Sequence, residues 1–202
     1  MARAPTQDRS KARVERILAA ASLMLAESEE AITARALAAR SGVALGTIYQ
    51  FFVDMKAVRE AVGGRARALL IEALDAHVPA TLARDPKAYL ARLIVAVDKL
   101  QEAHPEIGCM VREKPPGSFP EQLGGDLQAV ARARMGEAFR SEYPHLDRVE
   151  LDRILDIAST ALLAVLSRLP ARGTPDRATY IQDALLLVSG YLAGRLRPRP
   201  SK

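Results

Sequence analysis

The chain holds one cysteine, Cys109, no tryptophan, and aromatic residues at only 4%. A lone cysteine cannot close an intrachain disulfide. Scarce aromatics beside abundant Ala and Leu argue against β-sandwiches and barrels and for helices. No apolar stretch approaches the ~20 residues needed to span a bilayer, and the N-terminus lacks the apolar run of a signal peptide. A cytoplasmic protein with no membrane partner is expected. His77, His104 and His145 are the only three histidines, and none stands at metal-ligand spacing from another or from Cys109. On a helix the step from His104 to Cys109 puts the two on different faces, which leaves Cys109 as a packed thiol. Also missing are a Gly-x-Ser-x-Gly elbow, a phosphate-binding Gly-rich Lys-Ser/Thr loop and a His-Glu-x-x-His pair. Carboxylate pairs such as Glu29 with Glu30, or Asp152 with Asp156, read as solvated helix surface or as partners of Arg148 and Arg153. No enzyme, no cofactor and no metal site is expected.

What is present is apolar helix-forming sequence. With 202 residues, 49% of them hydrophobic, the chain can bury one small domain plus a larger helical one, or a single domain of ordinary size. The net charge of +5 is unevenly placed: +3 in residues 1–16 (five basic, two acidic), −2 in 17–194 (20 basic, 22 acidic) and +4 in 195–202. Positive ends around a near-neutral body match local phosphate contacts by an arm and a small domain, rather than a uniformly basic coat.

The stretch from Ile32 to Phe52 carries the sharpest signal, because it reads as a helix, a tight turn and a second short helix. Thr33 is placed to cap the first helix by accepting a hydrogen bond from an orphan amide, and Ile32, Leu37 and Ala38 form its inward stripe. Gly42 ends it, since a residue without Cβ readily takes the positive φ that turns the chain. Ala38 is small enough for a close crossing. Val43 and Ile48 anchor the second helix, leaving Ala44, Leu45, Thr47, Tyr49 and Gln50 on its outer side, an arrangement suited to a helix entering the major groove by its N-terminal end.

Residues 14–60 resemble the N-terminal domain of the TetR/AcrR family of transcriptional repressors. The resemblance rests on Arg16-Ile17-Leu18-Ala19-Ala20-Ala21, Gly42-Val43, Gly46-Thr47-Ile48-Tyr49, and Phe52 followed by Asp54 and Lys56. It implies an all-α fold: an N-terminal three-helix helix-turn-helix DNA-binding domain with its arm in residues 1–53, and a larger helical effector-binding and dimerisation domain in 54–202. It also implies a homodimer on a palindromic double-stranded operator, released by a small effector. By position, Arg35, Leu45, Gly46, Thr47 and Gln50 fall where the family reads bases or lies against the groove, with Ala44 beside them, and Thr33, Ala34, Tyr49 and Lys56 fall at or beside phosphate contacts. Leu45 and Gly46 offer only apolar contact, so Arg35, Thr47 and Gln50 would have to supply most of the hydrogen-bond readout. One departure stands out: Met55 occupies the position where the family has a lysine, and Lys56 next to it is turned by about 100° of helix rotation.

The remaining elements follow from periodicity and punctuation. Residues 1–7 read as a loose arm, followed by a helix with the stripe Val14, Ile17, Leu18, Ala21, Met24 and Leu25. Glu27, Glu29 and Glu30 oppose that helix's dipole and mark a frayed end or a face turned away from DNA. Asp54 caps a connecting helix through Val58, Val62, Leu69, Leu70 and Ile71 that stops before Pro79. Gly63-Gly64 sits in its middle, where each glycine costs about 0.5–1 kcal/mol relative to Ala; close helix packing and a bend are both open readings. Pro86 begins a helix with the stripe Tyr89, Leu90, Leu93, Ile94, Val97 and Leu100, and Pro105 a shorter one with Ile107, Cys109, Met110 and Val111. Residues 114–120 read as a non-helical loop. A helix over about 121–143 follows, ended by Pro144, then two more over about 147–169 and 175–196. Leu151, Ile154, Leu155, Ala158, Leu162 and Val165 stripe the first of these, and Tyr180, Ala184, Leu187, Val188, Tyr191 and Leu192 the second. Their small residues Ala158, Ser159, Ala161, Ala164, Ser189, Gly190 and Gly194 suit a subunit interface through the last two helices, or a plain core. The basic tail Arg195, Arg197, Arg199 and Lys202 reads as solvated.

A pocket for an apolar or aromatic effector would draw on Leu93, Val97, His104, Met110, Phe119, Val130, Leu162 and Tyr180, each of which could equally be core. Two rival functions stay open. A helical architectural or adaptor protein without an effector would bind DNA by charge alone, and a small helical enzyme lacks any paired acid-base or nucleophile constellation.

Overall fold

The computed structural model describes residues 5–28, 32–104, 106–108, 118–166, 168–169 and 173–196, with the side chains of 5–7 and 120 left aside. Among them are eight α-helices, one 3-10 turn, a further helical stretch at 106–108 and no strand. We number them α1 (Pro5–Glu27), α2 (Ala34–Ser41), α3 (Leu45–Phe51), α4 (Met55–His77), α5 (Pro86–Ala103), α6 (Phe119–Glu142), α7 (Arg148–Leu166) and α8 (Asp176–Arg195), with the 3-10 turn at Ala80–Arg84. Two units emerge, residues 1–68 with 103–124, and residues 69–102 with 125–202, so the division runs inside α4 and α6.

Helix ends follow local chemistry. α1 begins at Pro5, earlier than the arm read from sequence, because proline lacks only an N–H that the first turn leaves unpaired in any case. The Asp54 carboxylate accepts from the Ala57 amide at 2.7 Å and starts α4, and Asp85 accepts from the amides of Lys87 and Ala88 at 3.0 and 3.1 Å ahead of Pro86. Asp147 does the same for α7, accepting from the Glu150 amide at 2.8 Å. α6 starts at Phe119 with Pro120 inside its first turn, which corrects the loop expected up to residue 120. Ser118 supplies the cap, its hydroxyl accepting from the Glu121 amide at 3.3 Å, and the proline falls where no intrahelical donor is needed. Residues 1–4, Glu29, Glu30, Pro105, Cys109, Met110, Val111, the 114–117 part of that loop and the tail from Arg197 lie outside the described residues.

In the first unit Ile17, Leu18, Ala21, Met24 and Leu25 of α1, Ile32, Leu37 of α2, Val43, Ile48 of α3 and Val58, Val62 and Ala66 of α4 are all buried. Ala38 is half-buried. α4 continues through Gly63-Gly64. A Cβ built on Gly63 would stand 3.8 Å from Leu123 Cδ1 and 3.9 Å from Phe119 Cε2. α6 therefore packs onto α4 there, at ordinary contact distance.

The second unit centres on Tyr89, Leu90, Leu93, Ile94 and Leu100 of α5, Met135, Phe139 and Tyr143 around α6, Leu151, Ile154, Leu155, Ala158 and Leu162 of α7, and Ala184, Val188 and Leu192 of α8. Phe139 meets Tyr89 edge-on at 5.1 Å and stacks on Tyr143 at 6.0 Å. Burial pushes the Tyr89 hydroxyl up to about 12. Asp156 takes Arg132 of α6 as its partner rather than Arg153, which reaches Glu150 at 4.0 Å. One expectation about the last helix pair changes, and one open reading closes on the core side. Leu187, read as inward, is 58% exposed beside Leu186 at 68%. Ala158 and Ser159, read as possible interface residues, are buried within the chain, because that face of α7 packs inside the unit.

Candidate DNA-binding interface

The local sequence builds the α2–turn–α3 unit step by step. Thr33, in extended conformation, caps α2: its hydroxyl oxygen accepts from the Ala36 amide at 3.2 Å. Gly42 closes α2 with φ 64°, the left-handed conformation that glycine adopts without Cβ strain. Three residues later α3 begins, with the amides of Thr47 and Ile48 donating to the Ala44 carbonyl at 2.8 and 3.1 Å. Val43 and Ile48 face inward at 5% and 1% exposure, whereas Leu45 at 36% and Tyr49 at 53% face out. That division on a helix of seven residues leaves one side of it exposed among the described residues.

All ten residues singled out for DNA lie in the first unit, on α2, the turn, α3 and the start of α4. Arg35, Ala44, Leu45, Gly46, Tyr49, Gln50 and Lys56 are exposed, and Ala34 and Thr47 half-buried. Thr33 is exposed with its oxygen engaged as the cap. Arg35 makes no ion pair among the described residues. Lys56 lies 3.9 Å from Glu60, one turn along α4, with both side chains largely in water, so that pairing is weak and easily exchanged for another anion.

A clamp that sequence reading missed joins α1 to α2. Glu27, the last residue of α1, accepts two hydrogen bonds from the Arg40 guanidinium at 2.6 and 2.7 Å. This bidentate pairing holds the Glu27 carboxyl below its ordinary value, through the hydrogen bond first and the charge of Arg40 second. Instead of a frayed end, Glu27 is a tie between helices; the only sequence signal was a basic residue in the last turn of α2. A second tie joins α1 to α4, where Arg65 lies 3.4 Å from Glu15 and 3.8 Å from Glu106, and His104 stands 3.4 Å from the same Glu106.

The eight residues named for an effector divide between the units. Leu93, Val97, Val130, Leu162 and Tyr180 belong to the second, His104 and Phe119 to the first, and Met110 lies outside the described residues. Leu93 and Leu162 are buried, the other five half-buried. A surface depression of about 520 Å³ lined by Arg132, Asp152, Arg153 and Asp156 includes none of them. Among the described residues there is no cluster of three or more metal-ligating side chains, and no helix is long and apolar enough to cross a membrane.

Fold and site define an all-α protein of the helix-turn-helix class, with a three-helix N-terminal head and a larger set of C-terminal helices. Comparison with known proteins makes the class particular. Residues 85–192, more than half of the chain, match the family described as "Tetracyclin repressor-like, C-terminal domain". Among solved structures, a TetR-family transcriptional regulator from Streptomyces coelicolor is similar at 21% identity and a TM-score of 0.59, over 92% of this chain and 99% of that one. No curated protein matches. The chain belongs to the TetR family of transcriptional regulators. The matched segment lies wholly outside residues 14–60, so the two ends of the chain point independently to one family.

Proposed function

We propose that the protein is a ligand-responsive repressor that binds a palindromic operator as a homodimer and is released by a small apolar or aromatic effector. The observation that carries this reading is the α2–turn–α3 unit, in which Thr33 caps α2 and Gly42 turns the chain, with Leu45, Gly46, Tyr49 and Gln50 exposed while Val43 and Ile48 anchor α3. In this reading Arg35, Thr47 and Gln50 read base edges, Leu45 and Gly46 lie against the groove with Ala44 beside them, and Thr33, Ala34, Tyr49 and Lys56 sit at or beside phosphates. Residues 1–53 form the DNA-binding head and 54–202 the effector and dimer domain.

Dimerisation runs through α7 and α8. It is supported by Ile157, Leu163, Leu186 and Leu187, all large, apolar and exposed, and by Gly190 and Gly194, exposed with nothing within 4 Å of a Cβ built on either. Large side chains flanking small ones let a second helix approach closely. The two α3 helices of such a dimer would stand about 34–36 Å apart on DNA, one helical turn. Selection of duplexes from a random DNA pool tests the reading: one palindromic motif is expected. Binding without sequence preference, set by salt alone, would support the architectural alternative instead.

A further inference from the structure

We infer that one flank of α1, carrying Arg9, Arg13 and Arg16, is a second phosphate-binding surface that grips the operator backbone beyond the base pairs read by α3. At 100° per residue the three arginines fall within about 60° of one another around the helix. All three are exposed, and none makes an ion pair among the described residues. The rest of α1 differs: Ile17, Ala21, Met24 and Leu25 are buried, and the far flank mixes Asp8, Lys11 and Glu15.

Two ion pairs orient these flanks. Glu15, on the mixed side, is tied to Arg65 of α4, whereas Glu27, on the same line of the helix as the three arginines, is tied to Arg40 of α2. The arginine flank is thus the one along which the DNA-reading helix pair is fastened. From Arg9 to Arg16 the helix rises about 10 Å, a span long enough to reach neighbouring phosphates of one DNA strand. Guanidinium groups suit such contacts, being always charged and able to bridge two oxygens.

The inference rests on the operator reading above, and its test separates the two. Affinity for a duplex recovered by selection is measured over a salt series, from about 50 to 200 mM, for the full chain and for the triple variant Arg9→Gln, Arg13→Gln, Arg16→Gln. Each phosphate contact adds about 0.9 to the slope of log affinity against log salt. Removing six arginines per dimer should flatten it by up to about 5, with at least a tenfold loss of affinity at the lowest salt. The selected motif should stay the same, because backbone contacts carry no sequence information. The triple variant Arg9→Lys, Arg13→Lys, Arg16→Lys should retain most of the slope. An unchanged slope in the glutamine variant would overturn the inference while leaving the operator reading standing, as would an equal loss in the lysine variant, which would mark a structural effect. A wild-type chain that selects no motif would overturn both.

Discussion

Replacing Gly63 and Gly64 together by Ala should stabilise the protein and stiffen α4. A Cβ at Gly63 would meet Arg67 Nη1 at 3.5 Å, Leu123 Cδ1 at 3.8 Å and Phe119 Cε2 at 3.9 Å, and one at Gly64 would meet only Arg67 Nη2 at 3.9 Å. These are ordinary van der Waals distances, so neither methyl group requires its neighbours to move. Each substitution then recovers about 0.5–1 kcal/mol of helix propensity. Gly63 is buried, and its new methyl adds something under the ~0.8 kcal/mol of a fully buried methylene. The sum is about 2 kcal/mol. For a chain of this size that corresponds to roughly 4–8 °C in thermal midpoint. Circular dichroism melting measures the midpoint, and amide exchange across α4 measures local opening, which should slow around the pair. A lower midpoint would mean that the methyls do not fit and that glycine is required for the close approach of Phe119 and Leu123. A higher midpoint with unaltered exchange at 63–64 would refute the idea that the pair is the weak point of α4.

Arg35→Ala should weaken operator binding and relax preference at particular base pairs, while Tyr49→Ala should weaken all operators alike, each by about 1–3 kcal/mol; competition binding against single-base variants distinguishes them. Leu187→Asp, placing charge on the apolar face of α8, should convert a dimer to monomer at micromolar concentration in sedimentation, and an unchanged dimer would move the interface elsewhere. Ionising Tyr89 in the fold is costly because its hydroxyl is pushed to about 12 by burial. Its protonated form therefore supports stability fully below the unfolded value near 10, and roughly 2–3 kcal/mol is lost as pH rises through about 12; denaturant titrations should show this decline, flattened in Tyr89→Phe. Glu27 shifts the other way, so the clamp to Arg40 supports the fold above the ordinary carboxylate range and is lost as pH falls through the depressed value. A pH titration of the Glu27 carboxyl by NMR should show it return to the usual range in Arg40→Ala.

Much of the N-terminal head was legible in sequence because its devices act over three or four residues. Thr33 caps its own helix, Gly42 turns its own chain and Asp54 bonds an amide three positions on, and no distant partner is needed for any of these. The alternation of Val43 and Ile48 with Leu45, Tyr49 and Gln50 likewise encodes which side of α3 is free. Tertiary structure decided the rest. Glu27 and Arg40 are thirteen positions apart, and nothing local distinguishes a carboxylate that fastens two helices from one that frays into water. The start of α6 at Phe119 is a local device too, since Ser118 caps an amide three positions on, but the proline-rich approach outweighed that signal in the sequence. For α7 and α8, periodicity announces a helix but does not name its neighbour. Ala158 and Leu187 stand in equally apolar stretches, and only the packing of the two helices on each other put the first inside the chain and left the second on its surface.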